Sequence, residues 1–404
     1  MKLHIIYQQY PYGSQETFAE AELEELCRNF SDINVYSFSA VIKKPRKIPH
    51  NCKLVAMREN NVIYANLLAF CALFSVTTFV EIIFLIKKYK APTLKNLKRI
   101  YNYYVHRFLF KLNFDFDSLN DGDIVYSYWT SDIAYAALQT KHKNKNIKLI
   151  SRAHGFDAYF ERGYQPFRRE ILSNLDHLYC ISESGRDSIT RYFGSYINKD
   201  RISVARLGVV IPEGSELMRY KKSNLIVTCS NIIPLKRLDL LIDALALLDE
   251  SIEWIHFGDG FQQNEIIKYA HERLDAKRNI KWKFAGRTPH EKVMEFYRST
   301  NIGIFINCSD YEGVPVSLME AMVYGIPCIA RNVGGVSELI QDHNNGILLP
   351  YELDSTILSM SIKEILLEES SNLEKLCLNA KETIRRKYNS KNNFKELSKK
   401  ISLM

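Results

Sequence analysis

The chain has 404 residues, too many for one ordinary hydrophobic core, so two domains are expected. Hydrophobic residues make up 46% of it, and Gly and Pro are few, which excludes a disordered or fibrous protein. The net charge of +8 comes without a recognition motif for nucleic acid, so no nucleic-acid partner is predicted. The eight cysteines are scattered and form no CxxC pair, which indicates reduced thiols in a cytoplasmic protein.

The first half of the chain mixes strand-like and helix-like segments. The segments KLHIIYQQY and INVYSFSA predict two strands, with a helix over QETFAEAELEELCRNF between them. Later strands are predicted over DIVYSYW, IKLISRAHG, LDHLYCIS and ISVARLG, with the helical pattern SGRDSITRYF before the last of them. Residues 1–209 are therefore predicted to form one α/β domain.

A nearly apolar segment, residues 62–86, has about the length of a membrane span. Polar residues, among them Asn66 and Glu81, interrupt it, and strands of one domain lie on both sides. Buried or surface-seeking helices are therefore expected rather than a transmembrane helix. The basic, tyrosine-rich residues 87–107 follow directly and suit contact with an anionic membrane face, with a solvated basic surface as the alternative.

The second half alternates strands and helices more regularly, from LIVTCSN through NIGIFIN to GILLP. Continuous apolar strands between amphipathic helices predict a parallel sheet covered on both faces, so residues 224–382 are expected to form a second, doubly wound domain. The polar residues 210–223 are the predicted linker, and the basic residues 383–404 are predicted to be a helix. Ligands of such sheets bind outside the carboxyl ends of the strands.

The most informative segment, residues 310–338, reads DYEGVPVSLMEAMVYGIPCIARNVGGVSE. Its first glutamate, Glu312, is expected in the loop after the strand NIGIFIN, followed by Gly313. Pro315 suits the start of a helix, on which the second glutamate, Glu320, would lie. The first backbone N–H groups of that helix belong to Val316, Ser317 and Leu318. Such N–H groups attract phosphate, so a carboxylate on each side suits a nucleotide sugar.

This segment resembles the E-x7-E signature of glycosyltransferase family 4, whose members are retaining, metal-independent and of the GT-B fold. The resemblance extends to Gly325-Ile326-Pro327, to Gly334-Gly335 and to Glu338. It implies two doubly wound, Rossmann-like α/β domains with the site in the cleft between them. The first domain would bind the acceptor and the second the nucleotide sugar, with the C-terminal helix crossing back to the first domain.

The resemblance also suggests roles for residues of the second domain. Glu312 would bind hydroxyls of the donor sugar without having to be a nucleophile, and Glu320 would bind the ribose hydroxyls. Lys236 follows the first strand of this domain, where its charge can reach the diphosphate. The family usually has an arginine where this chain has Asn231, so either the neighbouring Arg237 compensates or the leaving group is less stabilised.

Other candidates follow strand ends elsewhere in the chain. His154, within SRAHGFDAYF, matches a family histidine near the transferred sugar, and Asp157 is expected either to hold an acceptor hydroxyl or to fix the loop. Arg152 is a further acceptor candidate. Gly13 stands where the family often has two glycines near the phosphates, and Arg287 is a candidate to flank the base.

The function that the resemblance implies is retaining transfer of a sugar from a UDP- or GDP-sugar to a glycan or lipid-linked acceptor. The segments SRAHGFDAYFERGYQPFRRE and LYCISESGRDSI resemble those of capsule, exopolysaccharide and lipopolysaccharide transferases. Neither a metal motif nor a cofactor motif is present, so no cofactor is predicted. The alternatives are a sugar-nucleotide epimerase or hydrolase of this fold, and a non-catalytic partner subunit. The expected location is the cytoplasm, with peripheral contact to the inner membrane face through residues 62–107.

Overall fold

The computed structural model describes the whole chain except residues 13–15, 17, 39–44, 57–60, 91–92 and 215–219. The chain divides into two compact units. The first comprises Met1–Arg206 together with Lys391–Met404, and the second comprises Leu207–Ser390. Part of the predicted linker, residues 210–223, lies outside the described residues.

The first unit is built on a parallel sheet, with seven strands among the described residues in the order β3-β2-β1-β4-β5-β6-β7. The strands are β1 (Leu3–Tyr7), β2 (Ile33–Ser37), β3 (Cys52–Ala56), β4 (Ile124–Ser127), β5 (Lys148–Ala153), β6 (His177–Cys180) and β7 (Ile202–Val204). The chain starts at β1 and adds β2 and β3 on one side of it. It then returns to the other side of β1 and adds β4, β5, β6 and β7 in turn. Every residue of β1 and of β2 is buried, because helices cover both faces of the sheet.

Helices connect these strands. They are α1 (Ala19–Asn29), α2 (Asn61–Ala72), α3 (Val76–Tyr89), α4 (Leu94–Asn113), α5 (Asp132–Lys143), α6 (Arg168–Asn174) and α7 (Glu183–Phe193). The apolar residues 62–86 form α2 and α3, which meet at an angle of 67°. Among the described residues, no single helix is long and apolar enough to cross a membrane, although the two helices of this bent pair together have the length and apolar composition of a span.

The second unit repeats the same plan on a parallel sheet, with six described strands in the order β10-β9-β8-β11-β12-β13. The strands are β8 (Leu225–Cys229), β9 (Ile252–Phe257), β10 (Ile280–Gly286), β11 (Ile304–Asn307), β12 (Cys328–Arg331) and β13 (Ile347–Leu349). The helices are α8 (Leu238–Ala246), α9 (Gln263–Leu274), α10 (His290–Ser299), α11 (Val316–Val323), α12 (Val336–Leu339), α13 (Ser355–Leu367) and α14 (Ser370–Lys387). The direction of winding reverses between β8 and β11.

The last helix, α15 (Ser390–Ser402), belongs mainly to the first unit. Its Leu397 and Ile401 are buried in the core around β1. The hydroxyl of Ser398 donates to the carbonyl of Glu25, 2.9 Å away, and accepts from Asn29 Nδ2 at 2.7 Å. The predicted return of the C-terminal helix to the first domain is thus confirmed, although the helix begins at Ser390 rather than at residue 383.

A buried histidine of the second unit is expected to make the free energy of unfolding depend on pH. His256 is completely buried, and burial lowers its pKa to about 4. The unfolded chain therefore takes up this proton first, so stability is present above the unfolded pKa of 6.5 and is lost as the pH falls towards 4. The effect amounts to about 3 kcal/mol, from about 1.4 kcal/mol per pKa unit.

The substitution His256→Gln isolates this effect. We expect the free energy of unfolding of the variant to change less between neutral pH and pH 4 than that of the parent, measured by urea denaturation at several pH values. Other titrating groups are common to both proteins and cancel in the difference. Parallel loss of stability in the two proteins would contradict the assignment.

Candidate active site

The two central loops of the second unit bring the predicted lysine and glutamate together. Lys236 ends a short 3-10 turn after β8, and Glu312 lies in the loop after β11. Lys236 Nζ donates to Glu312 Oε1 at 2.6 Å, and Asn307 Nδ2 donates to the same oxygen at 3.2 Å. Because β8 and β11 are neighbours where the winding reverses, this is the usual ligand-binding edge of a doubly wound sheet.

The second predicted glutamate lies on the helix that follows. Glu320 is on α11, which begins directly after Pro315. Its Oε1 shares a hydrogen bond of 2.7 Å with His290 Nε2, at the start of α10. Nothing in the sequence singled out His290, because the pairing depends on how α10 and α11 come together.

The predicted phosphate-binding groups lie at the N-terminus of α11. Val316, Ser317 and Leu318 form its first turn, next to Gly313 in the preceding loop. The N–H groups at a helix start have no partner within the helix, and the helix dipole adds partial positive charge there. The arrangement can therefore hold an anion beside Glu312.

Two glycines of the motif hold the Glu312 loop in place. A Cβ on Gly334 would lie 1.8 Å from the carbonyl oxygen of Glu312, and Gly334 has a φ of +55°. The N–H of Gly335 donates to the carbonyl of Gly313 at 2.7 Å. Only glycine at 334 permits this close approach of two backbone segments.

Arg237 is engaged with two carboxylates. It has a left-handed backbone (φ +50°), and its guanidinium donates to Asp239 at 3.2 Å and to Asp310 at 3.1 Å. Arg331, at the end of β12, also donates to Asp310. Arg331 was not predicted, although it lies within the motif. The charge of Arg237 is thus shared between two acids.

The two remaining candidates of the second unit, Asn231 and Arg287, lie in exposed loops. Asn231, in the place of the family arginine, is exposed after β8. Arg287 is exposed between β10 and α10. Gly258 and Gly260 pack against the backbone of the β8 loop, since a Cβ on either would lie about 2 Å from a carbonyl oxygen of Ser230 or Ile232. Any larger residue at either position would collide with the backbone of this loop, so the fold requires glycine there.

In the first unit, His154 follows β5 and is buried among aromatic rings. Its ring centroid lies 4.3 Å from that of Trp129 and 5.1 Å from that of Tyr128. Burial, together with the charge of Arg152, lowers the pKa of His154 well below its usual value, so the imidazole is neutral. Neither ring nitrogen has a hydrogen-bond partner within the described part of the chain.

Asp157 and Arg152 are fully buried. Asp157 accepts hydrogen bonds from the N–H groups of His154 (2.6 Å) and Thr130 (2.8 Å), and burial raises its pKa to about 6. Arg152 is paired with Glu22 and donates to the carbonyl of Ala205 at 2.8 Å. In this structure neither side chain is exposed to an acceptor, because both are engaged in the interior. The two N–H bonds to Asp157 tie the loop after β5 to the loop after β4.

Gly13 lies outside the described residues. Nearby, the carboxylate of Glu16 accepts hydrogen bonds from the N–H of Gln9 (2.8 Å), the N–H of Tyr10 (2.5 Å) and Trp129 Nε1 (2.5 Å). Sequence reasoning missed Glu16, because only the fold brings the loops after β1 and β4 together. No group of three or more His, Cys, Asp or Glu side chains in the described ranges could hold a metal ion.

Comparison with solved structures identifies the class of fold. The lipopolysaccharide outer core galactosyltransferase WaaB in its apo form aligns over 100% of this chain and 99% of its own, with a TM-score of 0.68 at 18% identity. HepE of Anabaena, in complex with UDP and glucose, aligns over 100% of both chains with a TM-score of 0.66 at 15% identity. The protein therefore has the GT-B fold, as predicted.

Comparison of sequences identifies the second unit more closely. Residues 215–387 match the family model described as "Glycosyl transferases group 1". The poly(ribitol-phosphate) alpha-N-acetylglucosaminyltransferase of Staphylococcus aureus (strain COL) is 26% identical over 218 residues, which are 52% of this chain and only 42% of that protein. An uncharacterized glycosyltransferase of Methanocaldococcus jannaschii is 26% identical over 408 residues, covering 94% of this chain and 93% of its own.

Proposed function

We propose that the protein is a retaining, metal-independent glycosyltransferase that moves a sugar from a nucleotide-diphosphate sugar to a glycan or lipid-linked acceptor. The observation that carries this proposal is the contact of Lys236 with Glu312 at the β8/β11 edge, beside the N-terminus of α11. One cation, one carboxylate and a row of helix N–H groups together match the parts of a nucleotide sugar.

The chemistry explains why these groups belong together. Transfer breaks the bond between the anomeric carbon and a diphosphate oxygen, and forms a bond from that carbon to an acceptor hydroxyl oxygen. The acceptor proton passes to the departing phosphate on the same face. The transition state therefore has a cationic sugar and a leaving group that gains negative charge, which Lys236 and the α11 N–H groups stabilise.

Donor binding has to exchange contacts within the site. Glu312 turns from Lys236 to the hydroxyls of the sugar, and Lys236 is then available to the diphosphate. Arg237 is already neutralised by Asp239 and Asp310, so it does not replace the charge that is missing at Asn231. Lys236 is thus the main side-chain cation for the leaving group in this proposal.

The carboxylate of Glu320 is proposed to bind the ribose hydroxyls, with His290 orienting it through their 2.7 Å hydrogen bond. His154 is proposed to contact the transferred sugar as a neutral hydrogen-bonding group, since burial keeps its pKa low. A neutral imidazole can accept or donate one hydrogen bond but adds no charge to the sugar.

The names of related proteins support a role in polysaccharide biosynthesis. They include a lipopolysaccharide 1,6-galactosyltransferase of Salmonella typhimurium and a putative teichuronic acid biosynthesis glycosyltransferase of Bacillus subtilis. HepE of Anabaena was solved with UDP-glucose, which favours a UDP-sugar over a GDP-sugar as donor. We place the reaction in the cytoplasm, at the inner face of the cell membrane, in the assembly of a cell-surface glycan.

A panel of UDP- and GDP-sugars tested by thermal unfolding, followed by transfer assays, tests the proposal. A true donor at a hundred times its Kd should stabilise the protein by about 2.7 kcal/mol. We expect at least one UDP-sugar to raise the unfolding temperature and to be consumed only when an acceptor is present. Consumption of the nucleotide sugar without an acceptor would favour a hydrolase or epimerase. Binding of the nucleotide sugar without turnover would favour a non-catalytic partner subunit. Failure of every nucleotide sugar to bind would overturn the proposed site.

A further inference from the structure

Helices α2 and α3 expose a large apolar surface, which we call the apolar ridge. Its most exposed side chains leave between 60% and 80% of their surface accessible. They are Ile63, Tyr64, Leu67, Phe74, Val76 and Phe79. These side chains recur along two consecutive helices, and the rings of Phe70 and Phe74 are 5.6 Å apart where the helices meet. They form a shared apolar surface rather than scattered exposed residues, and such a surface marks a place where something else binds.

The ridge does not belong to the core of the unit, because the opposite faces of the same two helices already pack and form hydrogen bonds there. Ala65 and Ala69 of α2 are completely buried. Tyr101 of α4 donates to Asn66 Oδ1 at 2.6 Å, and Thr78 of α3 donates to the hydroxyl of Tyr104 at 2.9 Å. The helices are therefore held on α4 by their inner faces, and their outer apolar faces are exposed in the described part of the chain.

The chain segment that forms the ridge carries charges of almost one sign. Residues 61–113 contain a single acidic residue, Glu81. It is buried, and it accepts hydrogen bonds from the hydroxyl of Tyr164 at 2.8 Å and the N–H of Phe167 at 3.0 Å. The exposed charges on this segment include those of Lys87, Lys90, Lys95 and Lys98. From outside the segment, Glu170 of α6 lines the same cavity as Val76 and Val80, and its charge is balanced by Arg107 at 3.6 Å.

We propose that the apolar ridge docks on an anionic lipid bilayer, with its apolar side chains in the interface and the flanking lysines on the headgroups. Apolar and cationic side chains together are the combination that binds such surfaces. A second copy of the chain fits less well, because a two-fold contact would bring together two copies of the same lysine-flanked, cationic surface. The docking does not depend on sugar transfer, and either proposal can fail alone.

The geometry points to helices that lie in the interface rather than cross the membrane. With 12 and 14 residues, α2 and α3 are about 18 and 21 Å long, shorter than the roughly 30 Å of the hydrocarbon core. The bend of 67° between them prevents the pair from acting as one straight span. Their inner faces also remain bonded to α4.

Flotation of the protein with lipid vesicles tests the proposal. We expect it to float with vesicles of phosphatidylcholine and phosphatidylglycerol, and at least tenfold less with phosphatidylcholine alone. Raising the salt from about 50 to about 500 mM should weaken binding, because it shortens the screening length. Equal binding to both kinds of vesicle at low salt would overturn the anionic specificity.

Matched variants separate the apolar from the charged contribution. The double variant Phe74→Glu and Phe79→Glu should lose vesicle binding at least tenfold, whereas Leu367→Glu, an equally exposed apolar residue of the second unit, should not. Lys95→Glu with Lys98→Glu should remove the preference for anionic lipid, whereas Lys281→Glu with Lys283→Glu should retain it. Circular dichroism checks that each variant is folded.

Two outcomes would overturn the proposal. One is undiminished vesicle binding by the Phe74 and Phe79 variant. The other is a dimer, seen by analytical ultracentrifugation, that this variant dissociates while vesicles capture no parent protein. The second outcome would assign the apolar ridge to another copy of the chain.

Discussion

Replacing Lys236 by alanine is expected to lower kcat/KM for sugar transfer by roughly 10²- to 10³-fold, the usual cost of removing one electrostatic contact to a transition state. Lys236 Nζ lies 2.6 Å from Glu312, and the neighbouring Arg237 is already paired with Asp310 and Asp239. Arg331, the other nearby arginine, is also bonded to Asp310, so we expect neither arginine to take over the charge of Lys236 on the leaving diphosphate. Initial rates with the donor from the binding panel give the measurement.

The variant should still fold, because a partly exposed ion pair contributes at most about 1 kcal/mol to stability. The matched control is Lys363→Ala, which removes a 2.9 Å contact with Glu250 elsewhere in the second unit. We expect it to leave transfer unchanged. Lys236→Arg should recover part of the lost rate, because it keeps the charge but not the geometry. Transfer at the parent rate by Lys236→Ala would exclude the proposed role.

The contact between Lys236 and Glu312 follows from features that are visible in the sequence. Buried strands β8 and β11 read as continuous apolar runs, and the motif after β11 contains a proline and glycines that restrict the local backbone. Two loops that follow neighbouring strands at a reversal of winding have to meet. The local sequence patterns and the rule for a reversal of winding therefore both predict that Lys236 and Glu312 lie close together at this edge of the sheet.

The secondary structure that could not be predicted depends on tertiary contacts. β3, with the sequence CKLVA, is five residues long and follows a basic stretch, and its strand conformation is completed by parallel pairing with β2. Strand propensity is too dependent on context to reveal such a strand. The seven-residue helix α6 was also missed, because it is too short for a clear period.

The roles of charged residues were harder to predict, because burial and pairing decide them. Arg152 meets Glu22, which is 130 positions away in the chain, and the pair is completely buried. A sequence pattern does not reveal a partner at that distance. The same holds for Glu320 with His290 and for Arg331 with Asp310, which are joined by neighbouring elements of the sheet and its helices.

Gly334→Ala is expected to damage the site as severely as the loss of Lys236, but through the backbone. The added Cβ would lie 1.8 Å from the carbonyl oxygen of Glu312, in a residue with φ +55°. Neither backbone segment can give way without moving Glu312 and Gly313, because Gly335 is hydrogen-bonded to the Gly313 carbonyl. We expect loss of donor binding, together with destabilisation by roughly 2–4 kcal/mol, within the range of single substitutions that force a clash or strain.

The control for backbone strain is Gly122→Ala in the first unit. Gly122 has a φ of +81°, and a Cβ on it would have nothing within 4 Å. Gly122 therefore has a left-handed backbone like that of Gly334, but an alanine there meets no other atom. We expect Gly122→Ala to lower the free energy of unfolding by about 1–2 kcal/mol and to leave donor binding intact. Thermal unfolding with and without the donor measures both effects for each variant. Donor-induced stabilisation of Gly334→Ala equal to that of the parent would show that the Gly334 contact does not position Glu312.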